Sequence, residues 1–282
     1  MHTVNMKPLP LGSIKAGGWL KGQLRKHADG VTGKLDECGT FVPQSPWLMA
    51  GGTGEDWERV PYWLDGLVAA AWTLDDPALK AKAKKHLEYI LSTQQPDGWM
   101  GPGNDLMRLD YWPLYILLKI FAQYVEAAGD PDGRIVKAML RLAYKIDCLM
   151  DGKIPYQWSM YRVSELVVAL LWLHGRTGEA WLLALARRAV RHGYDWVSHM
   201  AEFPYKAKVP PRVPGVRQSA HRLDSHGVNT AMMVKVPALL HRLGLLEDAS
   251  SAARRWLDDL DRYHGQATGV FTGDESLAVS VR

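Results

Sequence analysis

Polar and aromatic side chains recur at the openings of four apolar runs in this chain. The first opening is Trp57 to Leu67, where Glu58, Arg59, Tyr62 and Asp65 crowd together. From Pro61 to Leu74 Asp65 is the only charge, and a helix apolar on nearly every side is buried all round. A buried carboxylate is costly unless it is paired or faces a wet cavity. Glu58 and Tyr62 are four residues apart and share a helix face. Asp110 and Trp112 open the second run, Tyr161, Arg162 and Glu165 the third, and His226 and Asn229 the fourth. Glu165 is the only acid of its run, as Asp65 is of its own. Such groups around one cavity could recognise sugar hydroxyls. Trp99, in Gln94-Gln95-Pro96-Asp97-Gly98-Trp99, is a candidate stacking platform for a sugar C–H face. Structural alternatives stand beside each. Arg59 could pair with a buried carboxylate to fix helix packing. Asp224 or Ser225 could cap the helix that follows, and Trp99 could pin its loop.

The elements that position these residues alternate in kind. Pro61–Leu74, Trp112–Ala127, Val163–His174 and Gly227–Leu243 read as helices apolar nearly all round. Pro77–Ser92, Arg134–Met150, Glu179–Gly193 and Glu247–Tyr263 read as amphipathic. In the last of these, Ala249, Ala253, Trp256, Leu257 and Leu260 fall on the apolar face. Short turns such as Asp75-Asp76-Pro77 and Thr177-Gly178-Glu179 join each pair, with Gly closing one helix and Asp, Glu or Pro opening the next. The return joints Gln94–Tyr111, Asp151–Arg162 and Trp196–His226 are long and read as loops. An earlier helix, Gly18–His27, precedes the repeats. Repeated helical hairpins of this kind give an all-α fold, and the buried-inside, half-buried-outside alternation favours a double-layered (α/α) toroid over an open solenoid. A closed ring of six hairpins needs roughly 350 residues, so a single domain over 1–282, incomplete and of about eight to ten helices, is expected. An unclosed ring exposes an apolar flank through which the chain could oligomerise.

Composition excludes several classes. The 282 residues carry a formal charge of +4 with no basic stripe, so nucleic acid is not an expected partner. No run is long and apolar enough for a membrane span. No secretory h-region opens the chain, which makes a cytoplasmic location the default expectation. Cys38 and Cys148 are the only cysteines and form no disulfide framework. The ten histidines show no helical pair at metal-ligand spacing with a third ligand, so no metal site is expected within the chain. Twelve Trp and eleven Tyr against four Phe is a balance suited to sugar clefts, although large helical cores also consume Trp.

Several motifs carry a resemblance. Leu9-Pro10-Leu11-Gly12-Ser13-Ile14-Lys15 with Gly17-Gly18-Trp19-Leu20, Trp57–Leu67, Gln94–Trp99, Thr177-Gly178-Glu179 and His226-Gly227-Val228-Asn229 follow one another in order. They end in Tyr263-His264-Gly265-Gln266 through Gly273-Asp274-Glu275. Across essentially the whole chain this resembles the bacterial β-L-arabinofuranosidase family of glycoside hydrolases, and within it an uncharacterised branch. The resemblance implies an α/α toroid followed by β-sandwich domains, and retaining hydrolysis of an oligosaccharide from plant or bacterial glycans. In that family a zinc-bound cysteine thiolate attacks the anomeric carbon while a glutamate protonates the leaving oxygen. It implies Glu275 as the acid/base and a sugar-contacting histidine near His226. The family's Glu-x-Cys and Cys-Cys zinc ligands have no counterpart here, and neither Cys38 nor Cys148 sits in a matching context. The expectation is therefore the toroid part of such an enzyme, holding no zinc by itself and lacking the thiolate chemistry. Rival readings are another α/α-toroid carbohydrate enzyme, an unsaturated-uronyl hydrolase or lyase, and a non-catalytic glycan-binding module.

Overall fold

The computed structural model describes residues 8–103, 110–152, 155–206 and 223–271. These residues are all-helical, and their one β-type pairing is an isolated antiparallel bridge between Gly265 and Phe271. None of their helices is long and apolar enough to cross a membrane. The chain forms two compact units.

The first unit holds residues 8–152 and 169–185 among those described. Its helices are α1 (Gly18–Asp29), α2 (Val31–Lys34), α3 (Arg59–Thr73), α4 (Pro77–Ser92), α5 (Trp112–Ala128) and α6 (Arg134–Gly152). α3 packs against both α4 and α5, and α6 packs on α5. α5 is buried without interruption from Trp112 to Leu118, as its apolar sequence requires. α6 buries one stripe only, Ile135, Ala138, Met139, Leu142, Ala143, Ile146 and Met150, at the spacing of one helix face. α4 begins where Asp76 accepts hydrogen bonds from the N–H groups of Ala78 and Leu79 at 2.9 and 3.0 Å, with Pro77 in its first turn. α3 departs from burial all round: Tyr62 and Gly66 are exposed and Asp65 is half-buried. α1, α2, α4 and α5 all pack on α3, yet they leave these three residues partly open to solvent.

The second unit holds residues 155–168 and 186–271 among those described. Its helices are α7 (Trp158–Tyr161), the start of α8 (Val163–Thr177), the end of α9 (Trp181–His192), α10 (Trp196–Glu202), α11 (Gly227–Met233), α12 (Val236–Arg242) and α13 (Ala249–His264). Trp196, Met200, Phe203, Tyr205, Met233, Val236, Leu240, Trp256 and Leu260 form its core. Three expectations change here. Gly227–Leu243 is two helices, because Pro237 has no N–H for the Met233 carbonyl and its ring crowds that carbonyl. The return joints hold helices: α10 is nucleated by Asp195, whose carboxylate accepts from the Ser198 N–H at 3.0 Å, and α7 is a single turn. Leu257 is 49% exposed, so the buried stripe of α13 runs through Ala252, Trp256 and Leu260 instead.

Candidate functional site

The predicted polar residues gather into two groups, one in each unit. In the first unit, Asp65 accepts from Lys119 Nζ at 2.8 Å and from the Gln123 side-chain amide, both on α5. Asp65 is thus half of an inter-helix ion pair. Glu58 accepts from the Trp112 indole N–H at 2.6 Å, and the Tyr62 ring lies 6.1 Å from the Trp112 ring. Trp112 is 1% exposed, whereas Tyr62 is the exposed ring of the pair. Asp110 is buried, and its carboxylate receives the Trp112 backbone N–H at 3.3 Å. Burial, then the nearby Tyr111 and Asp110, push the Tyr115 phenol well above its ordinary value. It stays protonated near neutrality and is no base. Glu55, which the sequence reading passed over, is buried and accepts from the N–H groups of Trp57 and Arg59, both at 3.0 Å. It satisfies the opening of α3, and the Arg59 guanidinium lies 5.1 Å over the Phe41 ring. Trp99 is 4% exposed and donates to the carbonyls of Gly101 and Pro102. Its ring is buried, with no open face for a sugar.

In the second unit the sequence candidates converge more closely. Arg162 is 3% exposed, and its Nε donates to Asn229 Oδ1 at 2.6 Å. The guanidinium lies 4.4 Å over the Trp158 ring, and Trp158 meets His226 edge-on at 5.2 Å. Asn229 is fully buried and its amide also donates to the Leu223 carbonyl at 2.9 Å. His226 itself caps α11: its Nδ1 accepts from the Asn229 N–H at 3.4 Å, in place of the caps expected from Asp224 or Ser225. Trp158 is half-buried and follows Gln157, whose φ of 44° is left-handed for a side-chain-bearing residue. Strain of this kind gathers at functional sites. Glu165 is buried and pairs with Lys235, which lies between α11 and α12.

A second network adjoins this one along the turn from Leu223 to His226. Tyr161 stacks on Tyr194 with ring centres 4.4 Å apart. The Tyr194 hydroxyl lies 2.9 Å from His199 Nδ1 and 3.3 Å from Asp224 Oδ2. Tyr205 donates to the other Asp224 oxygen at 2.8 Å. His199 and Asp224 are buried. Trp158, Tyr194, His199 and Tyr205 were missed from sequence, because a Tyr and a His five apart across a turn follow no helix or strand period. Lys119 and Lys235 were missed too, although a signal was there: each is a lone lysine within an apolar stretch, as Asp65 and Glu165 are the lone acids of theirs.

Glu275 lies outside the described residues. Among the described residues no three His, Cys, Asp or Glu side chains converge to hold a metal ion, and Cys38 and Cys148 are free and exposed. No protein-family model, curated protein or solved structure matches the chain.

Proposed function

We propose that this chain recognises carbohydrate through the Trp158–Arg162–His226–Asn229 group, as a toroid-type helical protein related to β-L-arabinofuranosidase glycoside hydrolases. The observation that carries the reading is the Arg162 guanidinium, held between the Trp158 ring and the Asn229 amide, with the His226 imidazole edge-on to that ring. Sugars present hydroxyl oxygens and apolar C–H faces; the half-buried Trp158 ring suits the second, and the cation and imidazole beside it are of the chemistry that recognises the first. Asn229 is a positioning residue, since its oxygen and its amide hydrogens are engaged by Arg162 and Leu223. The ordered motifs from Leu9 to Glu275 support the same family and the same class of ligand. In this reading the described residues bind and orient a furanose or pyranose unit, and the acid/base step belongs to Glu275. Native affinity electrophoresis in gels containing arabinan, arabinogalactan or xylan tests it. Retardation of the chain, lost in Trp158→Ala, is the expected result. Equal mobility in every gel would defeat the reading.

One observation favours a second reading. The Tyr194 hydroxyl bonded to His199 and Asp224 is an acid/base arrangement suited to proton abstraction beside a uronic acid carboxylate, as in a polysaccharide lyase. Elimination creates a conjugated double bond, so ultraviolet absorbance growing with polyuronate substrates, and absent in Tyr194→Phe, would select this reading over the first.

A further inference from the structure

The second unit forms a partly open cavity of about 270 Å³ that the proposed sugar recognition does not use. Val163 and Val167 of α8, Val190 of α9, Trp196 of α10, and Val236 and Leu239 of α12 give it an apolar wall. A packing defect is free to close, but this wall is tied. Tyr194 donates its N–H to the Met160 carbonyl at 3.1 Å, and the Trp196 indole donates to the Tyr161 carbonyl at 2.8 Å. The Tyr194 hydroxyl is held by His199, and Asp195 caps α10 through Ser198. Gly193 lets the turn approach α8: a Cβ there would collide with the Val163 side chain.

Two features describe what would fill the space. Ser164 also lines the cavity, is 3% exposed, and its hydroxyl has no partner among the described residues. A buried hydroxyl without a partner is destabilising, so an acceptor brought to it is favoured. The exposed lining residues Arg191 and Asp195 carry opposite charges, which favours a neutral occupant over an ion. An apolar cavity of about 150 Å³ holds benzene, so a substituted ring has room here. We propose that this cavity is a binding site for a small neutral molecule with an aromatic or branched aliphatic body and one oxygen that accepts from Ser164. The inference is independent of sugar recognition.

Fluorine NMR of the whole chain titrated with para-fluorobenzyl alcohol tests it. The expected result is a saturable shift in the low-millimolar range that Val167→Phe abolishes by filling the cavity. Val236→Phe, from the opposite wall, repeats the test should the first variant lose its helical circular dichroism. Ser164→Ala is expected to weaken binding about fivefold. No saturable shift in the parent chain, or equal binding by the filled variants, overturns the site. Unchanged affinity in Ser164→Ala overturns the role of the hydroxyl.

Discussion

Arg162 and Asn229 form a buried pair on which both folding and the proposed recognition depend. Arg162 is positioned by a ring on one face and an amide at its edge. Removing the amide leaves a buried guanidinium bond unmet. Asn229→Ala is therefore expected to lower unfolding free energy by about 2–4 kcal/mol in chemical denaturation and to weaken glycan binding as well. His86 and Asp36 make a separate prediction. Burial depresses the His86 imidazole below its ordinary value, with the Asp36 hydrogen bond opposing. The unfolded chain therefore takes up a proton first, and stability falls as pH drops below about 6.5, the unfolded histidine value. Burial raises the Asp36 carboxyl, but hydrogen bonds from Lys82 and His86 outweigh it and leave it lowered. Its contribution is present above the unfolded value and is lost as pH falls through the acid range below about 3.8. Urea midpoints measured from pH 8 to pH 5 should decline in the parent (about pH 6.5 downward) and flatten in His86→Asn. An unchanged slope in the variant would count against this assignment.

The helices were legible wherever burial and local chemistry agree. Pro77–Ser92 has the same bounds in sequence and structure, because Asp76, Pro77 and a clean apolar stripe all favour that start. Asp76→Ala removes the cap and the Arg25 partner, and a cap of this type is worth about 1 kcal/mol in thermal unfolding. The breaks were harder to read. Pro237 splits an apolar run whose pattern continues across it, and α10 hides in a joint whose aromatic content reads as loop. Gly98 tests the tight joint after α4. Its φ is 94°, and an added Cβ would meet the Arg141 carbonyl oxygen inside van der Waals contact. Gly98→Ala is expected to destabilise by roughly 2–4 kcal/mol, read from the denaturation midpoint at unchanged slope.

For the whole molecule, the sequence pattern revealed helical hairpins and the residues that open them, but not their partners. Asp65 and Glu165 stood out as lone acids, and each proves to be tied to a lysine from another apolar stretch. That recurrence ties neighbouring helices within each unit. His226 and Asn229 were marked by their place before an apolar run, whereas Trp158 and Tyr194 needed the fold to bring them there. The central claim is that the Trp158–Arg162–His226–Asn229 group binds a sugar. Isothermal titration calorimetry of the whole chain with arabinofuranosyl oligosaccharides tests it most directly. The account predicts saturable binding that weakens about tenfold or more in Trp158→Ala while thermal unfolding stays cooperative. No saturable heat in the parent chain, or undiminished binding in Trp158→Ala, would contradict it.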